Sequence, residues 1–590
     1  MALPAWLPGP RAWQFSAVTF AAAALALWVA LGTGLERPYW AATTVYIVAQ
    51  PSAGALRAKA LWRFAGTIAG AGFAALAIPA LVDAPPLLVL VFALWVGLCL
   101  MAAQLDPTPR SYGFMLAGYT AAIVGFPALT APEAVFQTAL LRLEEIGLGI
   151  ACAWALHAIL LPQPATPLLL QRLEAWIADV ARLAADALSG DLPRLAADRR
   201  RLARDGTALD AMFQQARYEE GSRALRGLPG LRDRARRIPV IAGAAADRIA
   251  ALRAQDPAAL AALEPLLAEV AAWMREARPE RAAALEARLA AAEMGSSDWA
   301  GLLRDGLLDR LRELVATWAA CHGRALRLGT IALPLDVPAQ PALRLPGHVD
   351  PLLVGLSGLA VMAAICAACA FWILTGWSAG ATTAMMAAVG GSLFAGLDDP
   401  APAILRFMQG VAIAVLVSGT YLFAILPAVD GFALLLLVLG ACYLPLGALL
   451  AVPALTPRTA PVAINGLALL ALQGSYEADP IAFLDGACAM LLGFGAALLA
   501  TRLLRNLGVQ RRVARLSAAD RRDLLRLAEA RTPPPDLRRI ASAMLDRFEA
   551  AAARLGAGDP ATLGARELAE LRAALNLLRL RQAAPRLPAP

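Results

Sequence analysis

Twelve apolar runs constrain this chain more than any other feature. Six lie near 14–33, 38–51, 61–82, 87–104, 112–129 and 138–161, and six near 350–374, 377–394, 404–426, 431–450, 459–474 and 481–503. Most reach the roughly 20 residues that a helix needs to cross a hydrocarbon core. In that core each backbone N–H and C=O must be satisfied within the segment, so runs of this kind form helices. The runs at 38–51 and 459–474 are short. Each needs protein neighbours, or a broken helix, to sit at that depth. With 59% hydrophobic residues over 590 positions and a mean hydropathy of +0.59, the composition is that of an integral membrane protein. The expected fold is all-α: a first six-helix membrane repeat over 1–161, a helical cytoplasmic domain over 162–349, a second six-helix repeat over 350–503, and a helical cytoplasmic tail over 504–590.

The two sets share a grammar. Trp40 with Thr43 and Thr44 corresponds to Trp377 with Thr382 and Thr383, and Arg63-Phe64 to Arg406-Phe407. The tripeptide T-P-R occurs at Thr108–Arg110 and at Thr456–Arg458, followed eight residues later by Gly118 and Gly466. This pattern predicts a duplicated membrane unit. Six spans per half is an even number, so the halves are expected to share one orientation, related by an axis along the membrane normal.

Charge sets the expected topology. From Leu504 onward there are 17 Arg against 9 acids, and from Pro162 to Val349 26 Arg against 23 acids. Both regions are expected on the cytoplasmic side, near anionic headgroups. With Arg11 inside, Arg57, Lys59, Arg63, Arg110, Arg406, Arg458, Arg502 and Arg505 also fall inside, and both termini are cytoplasmic. The segment before the first run has no convincing cleavage site and is expected to stay as an uncleaved first span. Between the halves, Leu169, Leu173, Trp176, Ile177 and Val180 keep helical spacing. Further helices are expected near 191–219, 257–276, 279–293 and 298–327, a linker over Pro334 to Pro351, and tail helices near 517–530, 536–555 and 563–581. Their charges suit solvated faces. No basic patch interleaved with aromatics occurs, so nucleic acid is not an expected partner.

Several motifs carry little chemistry here. Gly376-Trp377-Ser378-Ala379-Gly380 fits a nucleophile elbow but joins two helical runs, with no histidine nearby in sequence. A tight turn between helices fits better. Lys59 is the sole lysine and follows Ala58, so no phosphate-binding G-K-[ST] loop exists. No zinc-type His/Cys set is present, and Cys366 and Cys369 read as buried thiols. No metal, cofactor or enzyme activity is expected. His157 suits packing better than proton relay.

The candidate transport residues are polar groups inside apolar runs. On a helix, Tyr39, Thr43, Tyr46 and Gln50 share one face. They are expected to line a cavity, with Val45 and Val48 toward lipid. Arg142 and Glu145 open the sixth run and Asp485 the twelfth. Such groups usually face a cavity or a partner, so Glu145 and Asp485 are candidates for proton coupling. An intrahelical pair of Arg142 with Glu145 stays equally open. Arg63, Arg110, Arg406 and Arg458 either anchor headgroups or form an electropositive mouth for organic anions. Trp40 and Trp377 either sit at the interface or stack on a ligand.

The stretch P-Y-W-A-A-T-T-V-Y-I-V-A-Q-P-S-A-G from Pro38, the segment Lys59-Ala60-Leu61-Trp62-Arg63-Phe64, and the arrangement of spans, helical insert and tail resemble the fusaric acid resistance family of inner-membrane proteins. The resemblance implies export of small aromatic carboxylic acids of the p-hydroxybenzoate or fusaric acid type from the cytoplasm, driven by the proton gradient. It also implies a periplasmic membrane-fusion adaptor and an outer-membrane channel; self-association stays open. On this reading the acid enters near Arg63 and Arg110 and its ring packs among Tyr39, Trp40 and Tyr46. In the second half Ser378, Thr382, Met385 and Val389 replace the polar stripe, which argues against symmetric sites. An uncoupled anion channel and a non-transporting scaffold are the alternatives.

Overall fold

The computed structural model describes residues 7–161, 166–189, 192–219, 228–276, 279–293, 299–328, 350–505 and 509–529, with Met544 and Arg547. All regular structure among them is helical. The helices divide between two compact units, 1–164 with 349–507, and 165–348 with 508–590.

In chain order the helices are α1 (Pro10–Gly32), α2 (Tyr39–Val48), α3 (Ala53–Leu81), α4 (Pro85–Leu105), α5 (Arg110–Ala128) and α6 (Val135–Leu160); α7 (Thr166–Ser189), α8 (Leu192–Ala216), α9 (Leu228–Ala235), α10 (Ile238–Gln255), α11 (Pro257–Glu276), α12 (Ala282–Ala291) and α13 (Trp299–Leu328); then α14 (Pro351–Thr375), α15 (Gly380–Leu393), α16 (Ala401–Thr420), α17 (Phe432–Leu450), α18 (Thr456–Leu470), α19 (Pro480–Leu504) and α20 (Val509–Glu529). Local sequence fixes several starts. Asp350 and Asp479 each accept hydrogen bonds from the following backbone amides, with proline at the first helical position of α14 and α19. Ser52 caps α3 by accepting from the Ala55 amide.

All twelve apolar runs become helices of the first unit. Among the described residues nine helices are long and apolar enough to cross a membrane; eight are in this unit, α6 and α16 counted with their short flanking turns. The four that fall short are α2, α5, α15 and α18, the second and fifth helix of each half. The run at 377–394, expected to be longer than its partner at 38–51, gives a helix of only 14 residues. Side-chain size is distributed inside out. Ala22, Ala26 and Ala30 are fully buried, whereas Trp28, Leu76, Phe136, Ile159, Leu374, Leu416 and Leu437 are exposed. In water so much large apolar surface would drive association; against acyl chains it is the expected exterior, with small residues letting helices approach.

Helix pairing recurs between the halves. α2 and α6 each pack on α1 and on one another, α3 packs on α5 and α6, and α4 on α5. In the same order α15 and α19 pack on α14 and on one another, α16 packs on α18 and α19, and α17 on α18. The halves meet through α4 on α14 and α1 on α17, and through α5 on α15 and α2 on α18. The α3–α5 approach is close because Gly66 and Gly70 lie against the backbone carbonyls of Gly113 and Ala117.

The second unit is an amphipathic helical bundle. Leu169, Leu173, Trp176, Ile177 and Val180 are buried, as their spacing predicted. α10 forms where no helix was expected. α11 is apolar enough to span a membrane, yet Leu260, Leu263, Leu267 and Val270 are buried in this unit's own core. In the tail, Asp520 is buried on α20 and accepts from Arg547 Nε at 2.6 Å. Apart from Met544 and Arg547, the expected helices near 536–555 and 563–581 lie outside the described residues, as does nearly all of the linker before Pro351.

Candidate functional site

α2 is a short helix packed on every side. Ten residues rise about 15 Å, half the hydrocarbon thickness. The helix survives at that depth because α1, α3, α6 and α18 surround it. Ala41, Thr43, Thr44, Val45 and Val48 are all fully buried. The expectation that Val45 and Val48 face lipid is therefore corrected: a helix enclosed on all sides has no lipid face.

The polar stripe on α2 divides between neighbours. Trp40 turns toward α6, Thr43 donates to the Tyr39 carbonyl at 2.7 Å, and Tyr46 meets the Tyr443 ring of α17 at 5.4 Å between centroids. The Tyr46 hydroxyl is buried without a hydrogen-bond partner among the described residues. Gln50 is half-buried just beyond the helix end.

On α6, Arg142 and Glu145 form an ion pair at 3.5 Å with both side chains buried, so the intrahelical pairing exists. The Arg142 guanidinium also lies 3.5 Å from the centroid of the Trp40 ring. Trp40 thus stacks on a cation inside the bundle, where desolvation strengthens the contact. Arg37 and Arg63 are further charge neighbours of Arg142.

Arg63 begins a second cluster. It is 4% exposed on α3 and donates from Nη1 to the Tyr112 hydroxyl of α5 at 3.2 Å. One turn earlier, half-buried Lys59 lies 5.8 Å from the centroid of the Tyr112 ring. Tyr119 of α5 is a further polar neighbour of both Tyr112 and Arg63. Lys59, Tyr112 and Tyr119 were absent from the sequence-based candidates. The available signal was Lys59 with Arg63, two like charges at i, i+4 on an apolar helix. Arg110 is exposed and lies over Trp62, 5.7 Å from its ring centroid. Arg142 and Arg37 lie beside the buried carboxylate of Glu145, and Arg63 links the two clusters as a charge neighbour of both Arg142 and Lys59.

In the second half Arg406 and Arg458 are exposed, and Asp485 is half-buried with no ion pair among the described residues. His157 is satisfied by packing, with Thr19 Oγ1 at 3.3 Å and the Ala153 carbonyl at 2.9 Å from its ring nitrogens. Gly376, at φ +61, ends α14 in the left-handed region, so G-W-S-A-G is a helix-ending turn. Among the described residues no group of three or more His, Cys, Asp or Glu gathers. A shallow groove of about 400 Å³ between α3 and α6, lined by Arg57, Phe64 and Trp154, opens to the outside and is separate from these clusters.

A model of the fusaric acid resistance protein family matches residues 12–590. The p-hydroxybenzoic acid efflux pump subunit AaeB of Edwardsiella ictaluri is 30% identical over 72% of this chain and 67% of its own length. Its namesake in Musicola paradisiaca is 26% identical over 80% of this chain and 72% of its own. The uncharacterized transporter YdhK of Escherichia coli is 35% identical over a shorter stretch, 25% of this chain and 22% of its own.

Proposed function

The chain belongs to the fusaric acid resistance protein family, and we propose that it is an inner-membrane transporter that exports small aromatic carboxylic acids. The observation that carries this reading is the charge imbalance inside the first half. Arg142 pairs with the single buried acid, Glu145, with Arg37 as a further charge beside it, while Lys59 and Arg63 have no acid of their own among the described residues. A cation-rich passage in a low-dielectric bundle attracts organic anions. The relatives named as p-hydroxybenzoic acid efflux pump subunits supply the substrate class.

The membrane unit is two six-helix repeats, a reading supported by the recurring T-P-R motifs and the matching helix pairs. The second unit and both termini are cytoplasmic. Arg110, Arg406 and Arg458 collect the anion at the cytoplasmic rim, Arg63 receives it, and Tyr39, Trp40 and Tyr46 border the route of the ring, with Thr43 and Gln50 at its edge. Glu145 exchanges a proton as Arg142 moves between it and the substrate, which couples export to the proton gradient, with Asp485 as a second proton site. A periplasmic adaptor and an outer-membrane channel complete the path.

The test is export of p-hydroxybenzoate from cells that express the chain. Export is expected to stop when a protonophore collapses the gradient and to fall at least tenfold in Glu145→Gln. Export that persists down the concentration gradient after collapse makes this an uncoupled anion channel. Failure of any aromatic acid to move overturns the reading.

A further inference from the structure

Lys59 and Arg63 stand one turn apart on α3, an arrangement in which like charges repel. Neither forms an ion pair among the described residues, and their polar neighbours are hydroxyls, Tyr112 and Tyr119 of α5. Arg63 is almost fully buried, its Nη1 is used by Tyr112, and its Nε has no hydrogen-bond partner among the described residues. An unpaired buried cation is costly, and a half-buried like charge one turn away adds to that cost. Glu145 does not offset them, because Arg142 already holds it. The missing element is an anion.

We propose that Lys59, Arg63, Tyr112 and Tyr119 form a carboxylate-binding subsite between α3 and α5. This rests on the export reading and names where the acid group is held. The unpartnered Nε side of Arg63 is an edge of the guanidinium fork, which matches the two oxygens of a carboxylate. Lys59 adds a second positive charge, and the tyrosine hydroxyls donate to the remaining lone pairs. The close α3–α5 approach at Gly66 and Gly70 fixes the spacing of the four groups. The subsite belongs to the first half alone: superposing Arg63 on Arg406 and the T-P-R motifs on one another puts Pro402, Ala460 and Leu467 at the places of Lys59, Tyr112 and Tyr119.

The experiment is equilibrium binding of radiolabelled 4-hydroxybenzoate to the full-length protein in nanodiscs of neutral lipid. Binding is expected to saturate, and to weaken at least about tenfold in Lys59→Gln and in Arg63→Gln, since charge-assisted bonds are the strong ones. Lys59→Arg is expected to stay within about threefold, because it keeps the charge. Tyr112→Phe keeps the ring, loses the hydroxyl and weakens binding severalfold; it carries the test with Lys59→Gln where Arg63→Gln does not fold. 4-Hydroxybenzyl alcohol, which has the ring and no carboxylate, is expected not to compete. If 4-hydroxybenzoate binds to Lys59→Gln and Tyr112→Phe as to the wild type, the subsite is wrong while the export reading stands. If succinate binds as well as 4-hydroxybenzoate and loses affinity in the same variants, the subsite stands and the aromatic reading falls. If neither acid binds the wild type, or if phosphatidylglycerol in the disc displaces all binding and takes over the dependence on Lys59, the site holds no substrate and the proposal is overturned.

Discussion

In the first half, α3 and α5 enclose Lys59, Arg63, Tyr112 and Tyr119. In the second, α16 and α18 make the equivalent contact, and the matching positions are Pro402, exposed Arg406, Ala460 and Leu467. The same contrast holds at the neighbouring pair. Gly149 of α6 lies against the Ala41 carbonyl and Thr44 of α2, and Gly493 of α19 lies against the Thr383 carbonyl and Met386 of α15. Superposing these glycines puts Gly486 and Ala489 where Arg142 and Glu145 stand. The backbone packing is repeated while the charges are not. Close packing needs only small residues at the crossings, so it can persist in both halves. A buried charge network is costly and is present where it has work to do.

The largest expected effect tests the charged side of that contrast. Arg142→Leu or Glu145→Leu alone leaves one buried charge without its partner, and each is expected to destabilise the protein by about 3–5 kcal/mol. Replacing both with methionine is expected to recover most of that. Asp485→Asn, half-buried and unpaired, is expected to change stability by less than about 0.5 kcal/mol. Thermal unfolding in detergent measures all four. Equal losses at Glu145 and Asp485 would show that the halves are alike in charge after all.

The packing side is tested by Gly149→Val and Gly493→Val. Each valine meets a backbone carbonyl that cannot move aside, so each is expected to cost about 2 kcal/mol. The comparison predicts similar losses. A loss confined to one half would mean that the shared helix pairs are not equivalent.

Much of the frame was legible in the sequence. Each apolar run became a helix because run length, flanking prolines and caps such as Asp350 and Asp479 are local properties. The crowding around α2 was not legible. A face that reads as polar by periodicity says nothing of how many neighbours surround the helix, and Val45 with Val48 proved enclosed. The α3–α5 cluster was half legible. Arg63 stood out as a charge in an apolar run, whereas Tyr112 and Tyr119 look like ordinary aromatics until α5 packs on α3. Lys59 drew notice as the sole lysine, as an inside charge and as part of a family motif, but not as a site residue. Arg406 shares the motif of its counterpart Arg63, and only the structure shows one exposed and the other buried.

That difference gives the next prediction, about tenfold or 1.4 kcal/mol in size. Arg63→Gln is expected to lower p-hydroxybenzoate export about tenfold. Arg406→Gln is expected to lower it about twofold, and that loss should vanish at high salt, since exposed charges act by steering and are screened. A salt-independent, tenfold loss at Arg406 would put a second substrate site in the second half.

The smallest expected effect lies where the halves meet, at Tyr46 and Tyr443. Tyr46 is 3% exposed, packs its ring on Tyr443 and leaves its hydroxyl without a partner among the described residues. Burying an unsatisfied hydroxyl costs about 1 kcal/mol or more. Tyr46→Phe keeps the ring contact and removes that cost, so the substrate-free protein is expected to be more stable by about 1 kcal/mol. The hydroxyl then has a reason to be there only if something satisfies it during transport, and a p-hydroxybenzoate phenol has the right chemistry. In that case Tyr46→Phe lowers export of p-hydroxybenzoate severalfold and leaves benzoate, which lacks the phenol, unchanged. If stability rises and both acids are exported as before, Tyr46 is a packing residue of the interface between halves. The ring route would then be bordered by Tyr39 and Trp40 without it.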